Sequence, residues 1–236
     1  MPMATTDAER LKAIITRLKK AYPDAKLALD FSTPFELLIA LILAAQCTDE
    51  KVNQVTGSLV FRKYRSPADY VRVAAEELET DIHATGFFRN KTRSIQRFCR
   101  ELIERFGGVV PGRFDDLITL PGVGRKTANI LLGNAFGTPA IGVDTHVMRL
   151  SQRLGFTRHT DPDKIEHDLT RIVPTPEQTR FCHLLQAHGR RVCLARTPKC
   201  PECVIADRCP FPDKTPASAP RAVRPAFGRR ANRPLK

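Results

Sequence analysis

Apolar residues recur along this chain at helical spacing, and no stretch alternates convincingly as a strand would. Leu11, Ile14, Ile15 and Leu18 share one helix face, and Thr6 with Glu9 ahead of them forms a capping box that satisfies first-turn N–H groups. Thr33 and Glu36 repeat the box, with Pro34 at the first helical position, where a missing N–H costs nothing. From Phe35 to Ala45 the run is apolar all round, which predicts a central helix buried on every side. Further helices are predicted near Asp49 to Tyr64, after Ser66 and Pro67, and through Ile95, Phe98, Cys99, Leu102, Ile103 and Phe106, with Gly107 ending the last. Lys126 to Phe136, Thr145 to Leu154, Pro162 to Ile172 and Pro176 to His188 complete the set, with Gly155 and Gly189 as C-terminal stops. The expected class is all-α.

With 236 residues and 42% hydrophobic composition, the chain can bury one large core or two smaller interlocked ones. A formal charge of +13 calls for a polyanionic partner, because each phosphate neutralised by Lys or Arg releases condensed counterions. Nucleic acid is the first candidate and an anionic membrane surface the second. No apolar run reaches spanning length and the start lacks a secretory pattern, so no membrane role and an intracellular, soluble chain are expected. Beyond Pro212, Pro, Ala and Arg dominate and no acid follows Asp213, which predicts a disordered basic tail over 213–236. That tail reads equally well as an electrostatic arm on DNA or as a solvated solubility segment.

The chemistry is concentrated in three places. Of seven cysteines, Cys47, Cys99 and Cys182 sit in apolar helical patterns, while Cys193, Cys200, Cys203 and Cys209 crowd together. An odd total in an intracellular chain argues for buried thiols plus a metal or cluster site, not a disulfide framework. Four thiolates suit zinc or an iron–sulfur cluster; a zinc ribbon usually shows two Cys-x-x-Cys knuckles, and here only Cys200-Pro201-Glu202-Cys203 has that form. Arg196, Lys199 and Arg208 lie among these ligands, where positive charge favours thiolates. In Leu120-Pro121-Gly122-Val123-Gly124-Arg125-Lys126, two glycines precede a helix, an arrangement that suits an ordinary turn or close backbone approach to a phosphate. Lys126 reads as a surface lysine or as an amine nucleophile. Asp144, ahead of Thr145, reads as an N-cap, as a catalytic carboxylate, or as both. His146 reads as structural.

The segment from Leu120 to Ala128 resembles the helix-hairpin-helix of the endonuclease III family of DNA glycosylases, and Val143-Asp144-Thr145-His146 resembles its catalytic-aspartate segment. The spacing of Cys193, Cys200, Cys203 and Cys209 is similar to that family's 4Fe-4S loop, and the likeness runs from about Phe31 to Pro210. This resemblance implies a bilobal helix-hairpin-helix glycosylase fold. Residues 28–138 would form a helical barrel domain with the hairpin, and residues 1–27 with 139–212 a discontinuous domain carrying the cluster. The active site would lie between Lys126 on one lobe and Asp144 on the other.

By resemblance, Lys126 attacks the sugar's anomeric carbon from a desolvated pocket at a helix N-terminus, which disfavours its charged form, and the resulting Schiff base drives β-elimination. Asp144 would stabilise the positive charge that develops on the sugar. Gln46 matches the gap-filling glutamine, and Phe87 stands where relatives carry an intercalating wedge, commonly Leu; Phe88 is the alternative wedge, and core packing the plain reading of Phe87. Gly122, Val123, Gly124 and Arg125 would meet the DNA backbone, while Arg89, Lys91 and Arg93 suit phosphate contact or a solvated helix face. The 4Fe-4S cluster is expected to fold and position its loop, not to perform hydrolysis. The implied activity is a bifunctional glycosylase and AP lyase that excises oxidised or ring-saturated pyrimidines from damaged double-stranded DNA, working as a monomer in a bacterial-type cytoplasm. An adenine glycosylase typically lacks the lysine, and an 8-oxoguanine glycosylase the four-cysteine loop. From a different class, a non-catalytic DNA-binding or redox-sensing iron–sulfur protein remains the rival.

Overall fold

Helices provide the regular structure of residues 7–216, which the computed structural model describes; no strand occurs among them. The elements are α1 (Asp7–Ala21), α2 (Pro34–Leu43), α3 (Asp49–Val55), α4 (Phe61–Lys63), α5 (Pro67–Arg72), α6 (Ala75–Ile82), α7 (Phe88–Phe106), α8 (Phe114–Leu117), α9 (Arg125–Ala135), α10 (Thr145–Arg153), α11 (Pro162–Ile172) and α12 (Gln178–Arg191). Thr6 and the tail from 217 onward lie outside the described residues.

Local chemistry sets several helix starts. Thr33 Oγ1 accepts the Glu36 N–H at 3.1 Å, while the Glu36 carboxylate reaches one residue past the cap to accept the Ser32 N–H at 2.6 Å. Thr48, Asp144 and Asp161 cap α3, α10 and α11 in the same way, each accepting an N–H from the residue three positions on. The segment predicted as one helix from Asp49 to Tyr64 is α3 and α4 joined by a π-helical turn over Thr56–Val60.

Two apolar cores result. In the first, Leu37, Leu38 and Leu43 of α2 pack with Ile95, Phe98 and Leu102 of α7 and Leu131 of α9, all fully buried. In the second, Ile14 and Leu18 of α1 join Val147 of α10, Leu169 of α11, and Phe181 and Leu184 of α12, so the start of the chain returns to pack with its later third. Each such side chain contributes about 1.5–3 kcal/mol by leaving water. Where the cores meet, the Asn129 amide donates to Ile141 O at 3.0 Å. There is no room for a β-carbon at Gly133, which lies beneath Thr179, or at Gly142, which lies beneath Ile130.

Three local expectations need correction. Gly189 does not stop a helix: α12 runs through it to Arg191, and the glycine is there for closeness, since a β-carbon would fall 2.7 Å from His146 Nδ1 and 3.0 Å from an Arg149 nitrogen. The apolar run after Phe35 leaves the helix at Leu43, so Cys47 lies in the turn that follows and not in a helix. Ile103 is 38% exposed, since the buried face of α7 turns away from it by the last turn.

Candidate active site and cluster loop

A cleft of about 550 Å³ opens between the two cores, and its lining includes Gln46, Phe87, Gly122, Lys126 and Asp144. Lys126 is the second residue of α9. The hairpin before it depends on Gly122, whose φ of +81° suits glycine alone, and closes through Val123 N–H to Leu120 O at 3.1 Å. Gly124 is the N-cap, with extended backbone, no side-chain cap and open space around its α-carbon. The first-turn N–H groups of α9 therefore face outward without a capping side chain, in the geometry that binds an anion.

Asp144 is an N-cap and also a cleft residue. One carboxylate oxygen accepts the Val147 N–H at 2.7 Å, which leaves the other available to the cleft. His146, in the next turn, is held against Arg149 at 3.2 Å, and its burial lowers its pKa, so it is built into the packing.

Gln46 and Phe87 are the two non-glycine residues among those described with positive φ. Phe87 is 60% exposed, which excludes core packing, whereas Phe88 packs against His83 with ring centroids 4.6 Å apart. Lys91 behaves as neither sequence reading anticipated. It is buried, and its ammonium donates to Leu43 O and to Thr85 O, both at 2.8 Å, so it ties the end of α2 to the turn that carries Phe87. Burial pushes its pKa down.

Two further expectations change. Lys126 is exposed, so the protein alone does not supply the desolvated pocket; a bound nucleotide has to complete it. The Arg125 guanidinium is held by Glu166 at 2.6 Å and lies over the Phe114 ring, which leaves its backbone N–H as the group presented at the hairpin. Cleft residues that the sequence did not single out include Gln186 and the ion pair of Arg190 with Asp49 at 2.6 Å, which spans α12 and α3.

Away from the cleft, Cys193, Cys200, Cys203 and Cys209 line one cavity with the apolar Leu150, Leu154 and Ile205. Four thiols around one cavity are the donor set that an iron–sulfur cluster takes. Burial pushes the Cys203 thiol up to about 11 and Cys209 in the same direction; iron would take these sulfurs as thiolates. Arg153, on α10, donates to Cys193 Sγ at 3.3 Å and to Leu194 O and Ala195 O at 2.8 Å, and Lys214 lines the same cavity. Lys199 and Arg208 instead lie beside Glu202 and Asp207. Arg149 grips Cys193 O at 3.0 Å, and His188 lies between Tyr22 (2.8 Å) and Cys203 Sγ (3.4 Å). The spacing of Arg149 and Arg153, four apart on one helix face, is the sequence signal that could have revealed them.

Residues 39–175 match the family model described as HhH-GPD superfamily base excision DNA repair protein, and residues 193–209 match the iron–sulfur binding domain of endonuclease III. The chain is 51% identical over 203 residues to endonuclease III of Synechocystis sp., covering 86% of this chain and 92% of that protein. It is 41% identical to the Escherichia coli endonuclease III over 207 residues, covering 88% and 97%. Among solved structures, a non-covalent endonuclease III–DNA complex superposes with a TM-score of 0.82 at 46% identity, over 87% of this chain and 96% of that one. A trapped endonuclease III–DNA covalent intermediate matches equally well, with a TM-score of 0.82 and 46% identity over 87% and 97%. A thermostable thymine-DNA glycosylase, 22% identical with a TM-score of 0.79 over 86% and 96%, shares the fold. The cleft, the hairpin and the four-cysteine loop thus agree with the sequence relationships, and the chain belongs to the endonuclease III family of the HhH-GPD superfamily of base excision DNA repair proteins.

Proposed function

We propose that this chain is a bifunctional DNA glycosylase and AP lyase that removes oxidised or ring-saturated pyrimidines from duplex DNA, with Lys126 as nucleophile and Asp144 as its carboxylate partner. The observation that carries this reading is the shared cleft: an exposed amine at a helix start and a half-buried carboxylate face one space of about 550 Å³ between two packed cores. The cores support a working division into a barrel lobe over 28–138 and a second lobe made of 1–27 with 139–212.

Binding begins with phosphate on the uncapped N-terminus of α9, where Gly122, Val123, Gly124 and Arg125 present backbone N–H groups. Phe87 wedges into the stack and Gln46 occupies the hole that the extruded nucleotide leaves; exposure of Phe87 beside a packed Phe88 supports that order. The uncharged amine of Lys126 attacks the anomeric carbon, the base departs with the glycosidic electron pair, and the free Asp144 oxygen stabilises positive charge on the sugar. Ring opening gives the imine, and loss of the adjacent sugar proton expels the phosphate on its 3′ side. An iron–sulfur cluster held by Cys193, Cys200, Cys203 and Cys209 would supply a structural anchor for its loop. The enzyme would act as a monomer on chromosomal DNA in the cytoplasm; no helix among the described residues is long and apolar enough to cross a membrane.

Borohydride trapping tests the reading. The parent chain should form a covalent adduct with DNA containing one damaged pyrimidine, and Lys126→Gln should bind that DNA without forming the adduct. An adduct with Lys126→Gln removes the lysine assignment, and intact binding with no adduct from the parent chain favours the passive DNA-binding rival.

A further inference from the structure

Four carboxamide side chains are buried among the described residues: those of Gln96, Asn129, Gln178 and Gln186. Three are paired with main chain. Gln96 donates to Val73 O at 3.0 Å, Asn129 to Ile141 O at 3.0 Å, and Gln178 to Thr170 O at 3.3 Å. Gln186 is only 7% exposed, yet its amide makes no hydrogen bond with any described residue. Its polar atoms are not among those fully shut off from solvent without a partner, so what remains accessible of them faces the space it lines. That space is the cleft of Lys126 and Asp144, together with a narrow pocket that shares Leu27 and Ile130 with it.

Most buried amides in a folded protein are paired, and one that keeps access to a cleft is free to pair with a group bound there. The lining shared with Gln186 mixes the aliphatic Leu27, Leu41, Ile42 and Ile130 with the polar Thr127, Asp49 and Arg190. A carboxamide offers one donor and one acceptor side by side, complementary to the paired carbonyl and N–H groups of a pyrimidine imide.

We propose that Gln186 reads the hydrogen-bonding edge of the extruded damaged pyrimidine. The proposal rests on the glycosylase reading above. Gln186 then matters for excising a base and has no role once the base is gone.

The test compares two duplexes under single turnover, one carrying a single dihydrothymine and the other a preformed abasic site. Gln186→Leu should excise dihydrothymine about tenfold more slowly or worse, since a hydrogen-bonding site that loses its partner discriminates strongly, and should cleave the abasic duplex at the parent rate. Methylating the ring imide nitrogen of dihydrothymine should slow the parent enzyme and leave Gln186→Leu unchanged. Parent-like excision by Gln186→Leu, an equal fall in both reactions, or equal sensitivity of both proteins to methylation would each overturn the assignment. Absence of excision and trapping in the parent chain would instead remove the enzymatic reading itself.

Discussion

Gln46 and Phe87 face one cleft with backbones of the same uncommon hand, φ 55° and 48°, and no other non-glycine residue described here adopts it. Each such conformation costs on the order of 1–2 kcal/mol and persists only where its surroundings fix it. Lys91 supplies that fixing, with one bond to the chain just before each of the two turns. Phe87→Gly should relieve the strain while losing little burial, so its unfolding free energy should stay within about 1 kcal/mol of the parent. Excision from duplex DNA should fall sharply at the same time. A large loss of stability in urea titration would show that Phe87 is a packing residue.

Lys91→Met keeps the length of the side chain and removes its donors, leaving two buried carbonyl oxygens unpaired. A loss of roughly 2–4 kcal/mol is expected. The urea midpoint measures it, and a midpoint equal to the parent's would mean that the two turns are held by other contacts.

Asp144→Asn separates capping from chemistry. Asparagine caps helices as well as aspartate does, so the Val147 N–H keeps its acceptor and stability should change by no more than about 0.5 kcal/mol. Excision should fall about a hundredfold, because a neutral amide no longer offsets charge on the sugar. Retained excision in a single-turnover assay would leave Asp144 as a cap alone.

His183 gives the folded state a pH dependence. Burial, aided by repulsion from Arg180, lowers its pKa from the ordinary 6.5 to about 4. As pH falls through 6.5 the unfolded chain takes up a proton that the folded chain refuses, so the contribution of His183 to stability declines until about pH 4 and is constant below it. The contribution is about 3 kcal/mol across that window. His188, lowered to about 4 by burial as well, adds a like slope, so His183→Asn should lessen the loss between pH 7 and pH 5 without abolishing it; denaturation curves that run parallel for the two proteins would contradict the assignment.

Arg153→Met should loosen the cysteine loop, since one guanidinium bonds Cys193 Sγ, Leu194 O and Ala195 O. Visible absorbance from the iron–sulfur chromophore should bleach several-fold faster under chelator than in the parent protein. An unchanged bleaching rate would leave the arginine without a role at the cluster.

Periodicity and caps made the helices legible in the sequence, because α2, α3 and α11 begin at Thr or Asp side chains that act on their own first turns. Hairpin, aspartate and cysteines were legible for a related reason: each occupies a short run of sequence. Lys91, Gln186, Gly189 and Arg153 were not, because what defines them lies far along the chain. Lys91 bonds a carbonyl 48 positions away, and Gly189 is small because α10 crosses it. Spacing along a sequence carries no record of such meetings between distant segments.

One nine-residue helix, α10, has Asp144 as its cap at one end and Arg149 and Arg153 holding the cysteine segment toward the other. A rod of that length spans only about 13 Å. The proposed carboxylate and the anchorage of the cysteine segment thus share one short rod, so a disturbance that tilts it at either end would be felt at the other.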